Sequence, residues 1–137
     1  MNTPNIRYSL GQSAELSRTF GHNEVSSFAE LSGDTNPIHL NEDYATSTPF
    51  GARIVHGMLV ASLFSTLFGT VLPGEGVVYL GQTLKFRAPV YLNDTINARI
   101  EITHLREDKP IATFRCECTN QAGDIVVEGE AVLKLPC

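Results

Sequence analysis

Cysteine, basic charge and long apolar runs are all scarce in this sequence, and each scarcity removes a class of protein. The cysteines are Cys116, Cys118 and Cys137, an odd number of 3 with no framework spacing, so a disulfide scaffold is not expected and a reducing compartment, the cytoplasm, fits best. Lys and Arg total 10 against 15 Asp and Glu, a net charge of -5. Such a chain has no general attraction for nucleic acid, and a nucleic-acid partner is not expected. The most apolar stretch, Met58 to Leu72, is interrupted by Ser62, Ser65, Thr66, Gly69 and Thr70; it is too short and too polar to span a bilayer. No apolar run of signal-peptide length occurs in Met1 to Leu10, so secretion is not expected. Repeats and low-complexity tracts are also missing. One domain over residues 1–137 is the expectation, large enough to bury roughly two-thirds of its unfolded surface without a structural metal. The basic residues are nonetheless concentrated, with Lys85, Arg87, Arg99, Arg106 and Lys109 in one stretch, which keeps a local patch for a small anionic ligand open.

What is present divides by hydrophobic period. Ala14, Leu16, Arg18 and Phe20 alternate with polar residues and suggest an early strand, closed by Gly21. From Asn23, as N-cap, Val25, Phe28, Ala29 and Leu31 recur at helical spacing until Gly33. A loop over Asp34 to Pro37 leads to a second short helix, about Asn41 to Ser47, and a third helix from about Gly57 to Thr70 is apolar on most faces. After Gly76 the period becomes two. Leu80, Leu84 and Phe86 suggest one strand, with Gly81 leaving its phase open; Ile96 to Thr103, Ala112 to Thr119 and Val127 to Leu135 alternate clearly. Cys116 and Cys118 share a face and read as small buried apolar residues. Short turns between strands make the sheet antiparallel. These pieces assemble as α+β, a curved antiparallel sheet wrapped around the apolar helix. Exposed sheet edges and an incompletely covered helix point to a homodimer.

Reactive side chains cluster between Phe28 and His56. Asp34 and His39 stand on either side of Asn36-Pro37, where proline fixes its own φ and drives the residue before it away from α, favouring a turn that brings the two together. A carboxylate and an imidazole facing one cavity can hold a water and exchange protons with it. The same residues also suit an ordinary turn with a helix-capping aspartate. A metal site of Asp34, His39 and His56 is a third reading, without a dense ligand motif behind it.

The run Phe28-Ala29-Glu30-Leu31-Ser32-Gly33-Asp34-Thr35-Asn36-Pro37-Ile38-His39, with Ala45 beyond it, closely resembles the hydratase motif of the MaoC-like, R-specific enoyl-CoA hydratases. Phe50-Gly51-Ala52-Arg53-Ile54-Val55-His56-Gly57-Met58-Leu59 is similar to the family's second signature. The resemblance continues through Tyr79 to Phe86 and Leu105 to Ala112, and reaches Leu135-Pro136. It implies a hotdog fold and reversible syn addition of water to a trans-2-enoyl-CoA, giving the (R)-3-hydroxyacyl-CoA with no metal or cofactor beyond the thioester substrate. Asp34 and His39 would hold the water, and the Gly57 N–H would meet the thioester oxygen. Helix N-termini present free N–H groups, and glycine permits close approach. Ser65 aligns with a site-lining serine of the short bacterial hydratases of polyhydroxyalkanoate synthesis. Asn36 either holds the loop or meets substrate, and His56 either packs at the helix start or contacts ligand. Leu67 and Phe68 are acyl-pocket candidates that suit the core equally; Arg53, Lys85 and Arg87 are candidates for the CoA phosphates. A hotdog thioesterase and a non-catalytic acyl-thioester binding dimer remain as rival readings, and acyl chain length is not legible.

Overall fold

The structure is a computed structural model that describes residues 8–136; Cys137 and the first seven residues, on which the reading of the leader rests, lie outside it. Six strands form one sheet: β1 (Ser13–Thr19), β2 (Val78–Gln82), β3 (Lys85–Phe86), β4 (Thr95–Leu105), β5 (Ile111–Thr119) and β6 (Ile125–Lys134). The order is β1-β4-β5-β6-β2, with β3 also on β6, and every pairing is antiparallel. The helices are α1 (His22–Ser32), α2 (Pro37–Leu40), α3 (Glu42–Thr46) and α4 (Gly57–Thr70).

Alternation decides which face each strand buries. Ile96, Ala98, Ile100 and Ile102 of β4, and Ala112, Phe114, Cys116 and Cys118 of β5, all point inward and are fully buried. They pack against Val60, Leu63, Phe64, Leu67 and Phe68 of α4. Phe68 meets Phe114 edge-on, with ring centroids 4.8 Å apart. Each leucine- or phenylalanine-sized side chain buried this way contributes about 1.5–3 kcal/mol, so the apolar helix holds the sheet around itself. Irregularities between Tyr79 and Gly81, Ile102 and His104, and Cys118 and Thr119 supply the extra twist that lets a sheet wrap a helix. Gly129 is needed for the crossing of the β2–β3 link, because a Cβ there would stand 1.9 Å from the Thr83 carbonyl oxygen.

Four local expectations change. Gly21, not Asn23, caps α1, and the Glu24 carboxylate accepts from the Gly21 N–H at 2.7 Å. The helix expected over 41–47 is α3, and a separate one-turn helix, α2, precedes it; Asn41 ends one and caps the other through Oδ1. The strand expected over Leu80 to Phe86 splits into β2 and β3, and Leu80 and Phe86 face outward at 52% and 53% exposure. Three of the five cations of the basic stretch are ion-paired: Arg87 with Glu128 at 2.9 Å, Arg99 with Glu101 at 2.6 Å and Arg106 with Asp108 at 2.7 Å.

Candidate active site

The candidate site lies where the α1–α2 loop meets the amino end of α4. Gly33 closes α1 in the left-handed conformation, φ 81°, and turns the chain out of the helix. Ser32 Oγ accepts the Asp34 N–H at 3.1 Å, and Asp34 Oδ1 accepts the Asn36 N–H at 3.2 Å. Asn36 then caps α2, its Oδ1 accepting the Ile38 N–H at 3.2 Å, with Pro37 at the first helical position. These short-range bonds fix Asp34 at the solvent edge and carry His39 inward, where it is buried.

The tautomers of the two buried histidines follow from their partners. A carbonyl only accepts, so His39 Nδ1, 2.8 Å from the Ile54 oxygen, carries the proton and leaves Nε2 as the basic nitrogen. Arg53 Nε braces the same turn by donating to the His39 carbonyl at 2.7 Å, and its Nη2 lies 3.1 Å from His22 Nδ1. His56 is 2% exposed, and its Nε2–H donates to the Asp34 carbonyl at 3.0 Å. Its ring stacks on His39 at 3.8 Å and 26°, and Phe28 packs edge-on against it at 4.8 Å. Burial pushes the His56 pKa down; its hydrogen bond to the Asp34 carbonyl opposes this, and the neighbouring His39 adds to the lowering. The other nitrogen, Nδ1, is buried without a hydrogen-bond partner.

His56 is also the N-cap of α4: its carbonyl accepts the first helical bond, from the Val60 N–H at 3.2 Å. The N–H groups of Gly57, Met58 and Leu59 therefore start the helix without intrahelical acceptors. A Cβ on Gly57 would lie 2.6 Å from Phe86 Cε1, so the aromatic ring roofs the helix start. A cavity of about 440 Å³ opens here, lined by Asp34, His39, His56, Gly57, Phe86 and Arg87 among others.

The structure therefore brings Asp34, His39, His56, Gly57 and Arg87 to one cavity. Asn36 stands behind it as a cap, and Arg53 as a brace on the His39 turn. Lys85 lines a separate polar hollow with Arg115 and Glu128. Ser65 lines another, of about 490 Å³, with Tyr79, Leu80 and Gln82; Met58 borders both this hollow and the Asp34 cavity. Leu67 and Phe68 are buried in the core, although Phe68 touches Tyr79 at a ring distance of 5.3 Å. Phe28, Ile54 and Phe86 are site residues not singled out from the sequence. Ile54 acts through its carbonyl, which no side chain advertises, and Phe86 sits in a segment whose phase Gly81 obscures.

Ligand atoms of Asp34, His39 and His56 lie within 4.8 Å of one another. Stacked rings hold their lone pairs in two nearly parallel planes, 26° apart here, whereas a zinc-type ion needs nitrogens converging on one point at about 2.0–2.1 Å. With His39 Nδ1 and His56 Nε2 already hydrogen-bonded, the donor set fits a water better than a metal.

An antiparallel sheet wrapped around one apolar helix, with a polar loop closing on the helix's amino end, is a hotdog fold. The chain belongs to the MaoC-like family, whose domain model, described as MaoC like domain, matches residues 5–121. It is 54% identical to the (R)-specific enoyl-CoA hydratase of Aeromonas caviae over 93% of this chain and 95% of the relative. It is 50% identical to the enzyme of the same name from Rhodospirillum rubrum, over 92% of this chain and 87% of that one. The solved (R)-hydratase from A. caviae, described as involved in PHA biosynthesis, superposes with a TM-score of 0.94 at 53% identity, covering 96% of this chain and 99% of that one.

Proposed function

We propose that this protein is an (R)-specific enoyl-CoA hydratase, a hydro-lyase that adds water reversibly across a trans-2-enoyl thioester. The observation that carries the mechanism is the convergence of Asp34, the free Nε2 side of His39 and the open N–H groups of α4 on one cavity. A water held between Asp34 and His39 gives its hydroxyl to Cβ of the enoyl group and its other proton to the pair, and the pair returns that proton to Cα and ends in the state in which it began. The coupled pair shares the acid and base roles. Negative charge moves to the thioester oxygen as the Cα–Cβ double bond is attacked, and the Gly57 N–H, aided by the positive end of the helix, meets it there. Because one water on one side supplies both the hydroxyl and the proton, addition is syn.

The acyl tail runs past Met58 toward the hollow that holds Ser65 and Tyr79, with Phe68 one layer behind. Arg87, the basic residue of the cavity lining among the described residues, exchanges Glu128 for a CoA phosphate. Water activation here needs no metal or cofactor. The described residues, 8–136, form one hotdog unit, and a second copy completes it: β2 is a sheet edge, and its Leu80 and the nearby Met58 are 52% and 59% exposed. Among the described residues no helix is long and apolar enough to cross a membrane.

The test is consumption of a trans-2-enoyl-CoA with chiral analysis of the product and a parallel thiol assay. Formation of (R)-3-hydroxyacyl-CoA without thiol release supports the proposal. Thiol release from saturated acyl-CoA without enoyl consumption would favour a thioesterase, and binding without turnover a non-catalytic module.

A further inference from the structure

We infer that His56 is a positioning residue for this reaction, holding the Asp34 main chain, the plane of the His39 ring and the start of α4 in one fixed relation. The inference rests on the reading of Asp34 and His39 as the reacting pair. Three contacts of one side chain and its backbone carry it. The Nε2–H is spent on the Asp34 carbonyl rather than on the carboxylate, so the loop is held while the carboxylate stays free to meet a water. The ring lies flat on His39, whose own Nδ1 is tied to Ile54, and together these two restraints fix where His39 Nε2 points. The backbone of His56 caps α4 immediately before Gly57, which joins both reacting groups to the helix N–H groups.

A buried imidazole kept only for packing would have both nitrogens satisfied, or would be replaced by an apolar ring at no loss. Here Nδ1 is buried with no partner. That arrangement is tolerable for a neutral ring, whose Nδ1 is a bare lone pair, and intolerable for a charged one, which would present a second N–H to the same empty surroundings and a cation against His39. His56 therefore stays neutral in a single tautomer and takes no part in proton transfer. His56 borders the cavity without presenting a free polar atom to it, its Nε2–H spent on the Asp34 carbonyl and its Nδ1 buried, so its effect is on the geometry of the groups that do react.

The test separates the hydrogen bond from the bulk of the ring. His56→Phe keeps the stack on His39 and the contact with Phe28 but removes the donor, while His56→Gln places an amide N–H near the position of Nε2. We expect kcat of His56→Phe to fall by about a hundredfold, the cost of misplacing a reacting group by about an ångström, with KM little changed, because bound substrate loses no polar contact. His56→Gln should recover a substantial part of that kcat. A wild-type kcat in His56→Phe, a rise in KM alone, or no rescue by Gln overturns the inference. Should His56→Phe fail to fold, nitrogen-15 NMR of the wild type decides: a neutral Nε2–H tautomer that persists in Asp34→Asn supports the inference, because the acceptor is the main-chain carbonyl. A charged ring or an Nδ1–H tautomer overturns it. Asp34→Asn with full activity would bring down the parent reading and this role together, whereas an inactive Asp34→Asn beside a fully active His56→Phe overturns this inference alone.

Discussion

Gly57→Ala tests the helix-start donor with the smallest available perturbation. The added Cβ would lie 2.6 and 2.7 Å from two carbons of the Phe86 ring, closer than any real contact, so something must shift. Phe86 is 53% exposed, and its ring can rotate away at a cost on the order of 1–3 kcal/mol. Alanine in place of glycine in a helix returns up to about 1 kcal/mol. The net change in stability is therefore at most about 3 kcal/mol, a Tm shift below about 12 °C for a domain of this size. Activity measured well below the melting temperature reports on the donor separately. The methyl group stands beside the N–H proposed to meet the thioester oxygen, and loss of one such donor costs on the order of 2.7–4 kcal/mol, or about 10²–10³ in kcat. Steady-state hydration kinetics beside thermal melting measure both quantities. The double variant Gly57→Ala with Phe86→Ala sharpens the result, because it removes the clash and keeps the methyl group. It should stay as slow as the single variant. Near-wild-type kcat in Gly57→Ala would refute the donor assignment, and restoration in the double variant would trace the loss to the ring rather than to blocked approach.

Other expectations follow from the same contacts. Because burial lowers the pKa of His56, the unfolded state binds more protons than the folded one below the ordinary histidine value of about 6.5, and stability falls as pH drops from there toward the folded value; urea midpoints measured across that range should show a weaker pH dependence in His56→Phe. Arg87→Ala should raise KM for the CoA thioester with little change in kcat, and the difference from wild type should shrink at high salt, which screens phosphate attraction; a fall in kcat with unchanged KM would place Arg87 elsewhere in the mechanism. Leu80→Lys should weaken self-association in sedimentation velocity, since it puts charge on the exposed edge strand β2 itself, and an unchanged dimer would locate the interface on another face.

The parts legible in the sequence are those fixed by local periodicity. The apolar run gave the span of α4 at both ends, and the alternation of β4 and β5 identified which residues face the core, because burial on a pleated sheet repeats every second residue. Where the sheet breaks that repeat, the reading slipped: the irregularity at Cys118/Thr119 buries both Val126 and Val127, and the one at Tyr79/Gly81 turns Leu80 outward. The Asp34 to His39 loop was visible through its proline and its motif, yet the one-turn helix that delivers His39 inward depends on the Asn36 cap, a bond that residue spacing does not reveal. The stack of His39 on His56 joins residues from separate elements, and its bond to the Asp34 carbonyl reaches across 22 positions. The basic stretch divides in the same way: Arg99 and Arg106 pair with carboxylates two residues further on, Glu101 and Asp108, whereas Arg87 meets Glu128 across the sheet, a pairing only the fold decides.

Stereochemical analysis of the hydration product, made with wild type, Asp34→Asn and His39→Gln on one trans-2-enoyl-CoA, bears most directly on the central claim. The Asp34–His39 site predicts the (R)-3-hydroxyacyl-CoA from the wild type, and a kcat lower by about 10²–10⁴ in each variant with the fold intact. An (S) product, or a variant that hydrates at the wild-type rate, would contradict it.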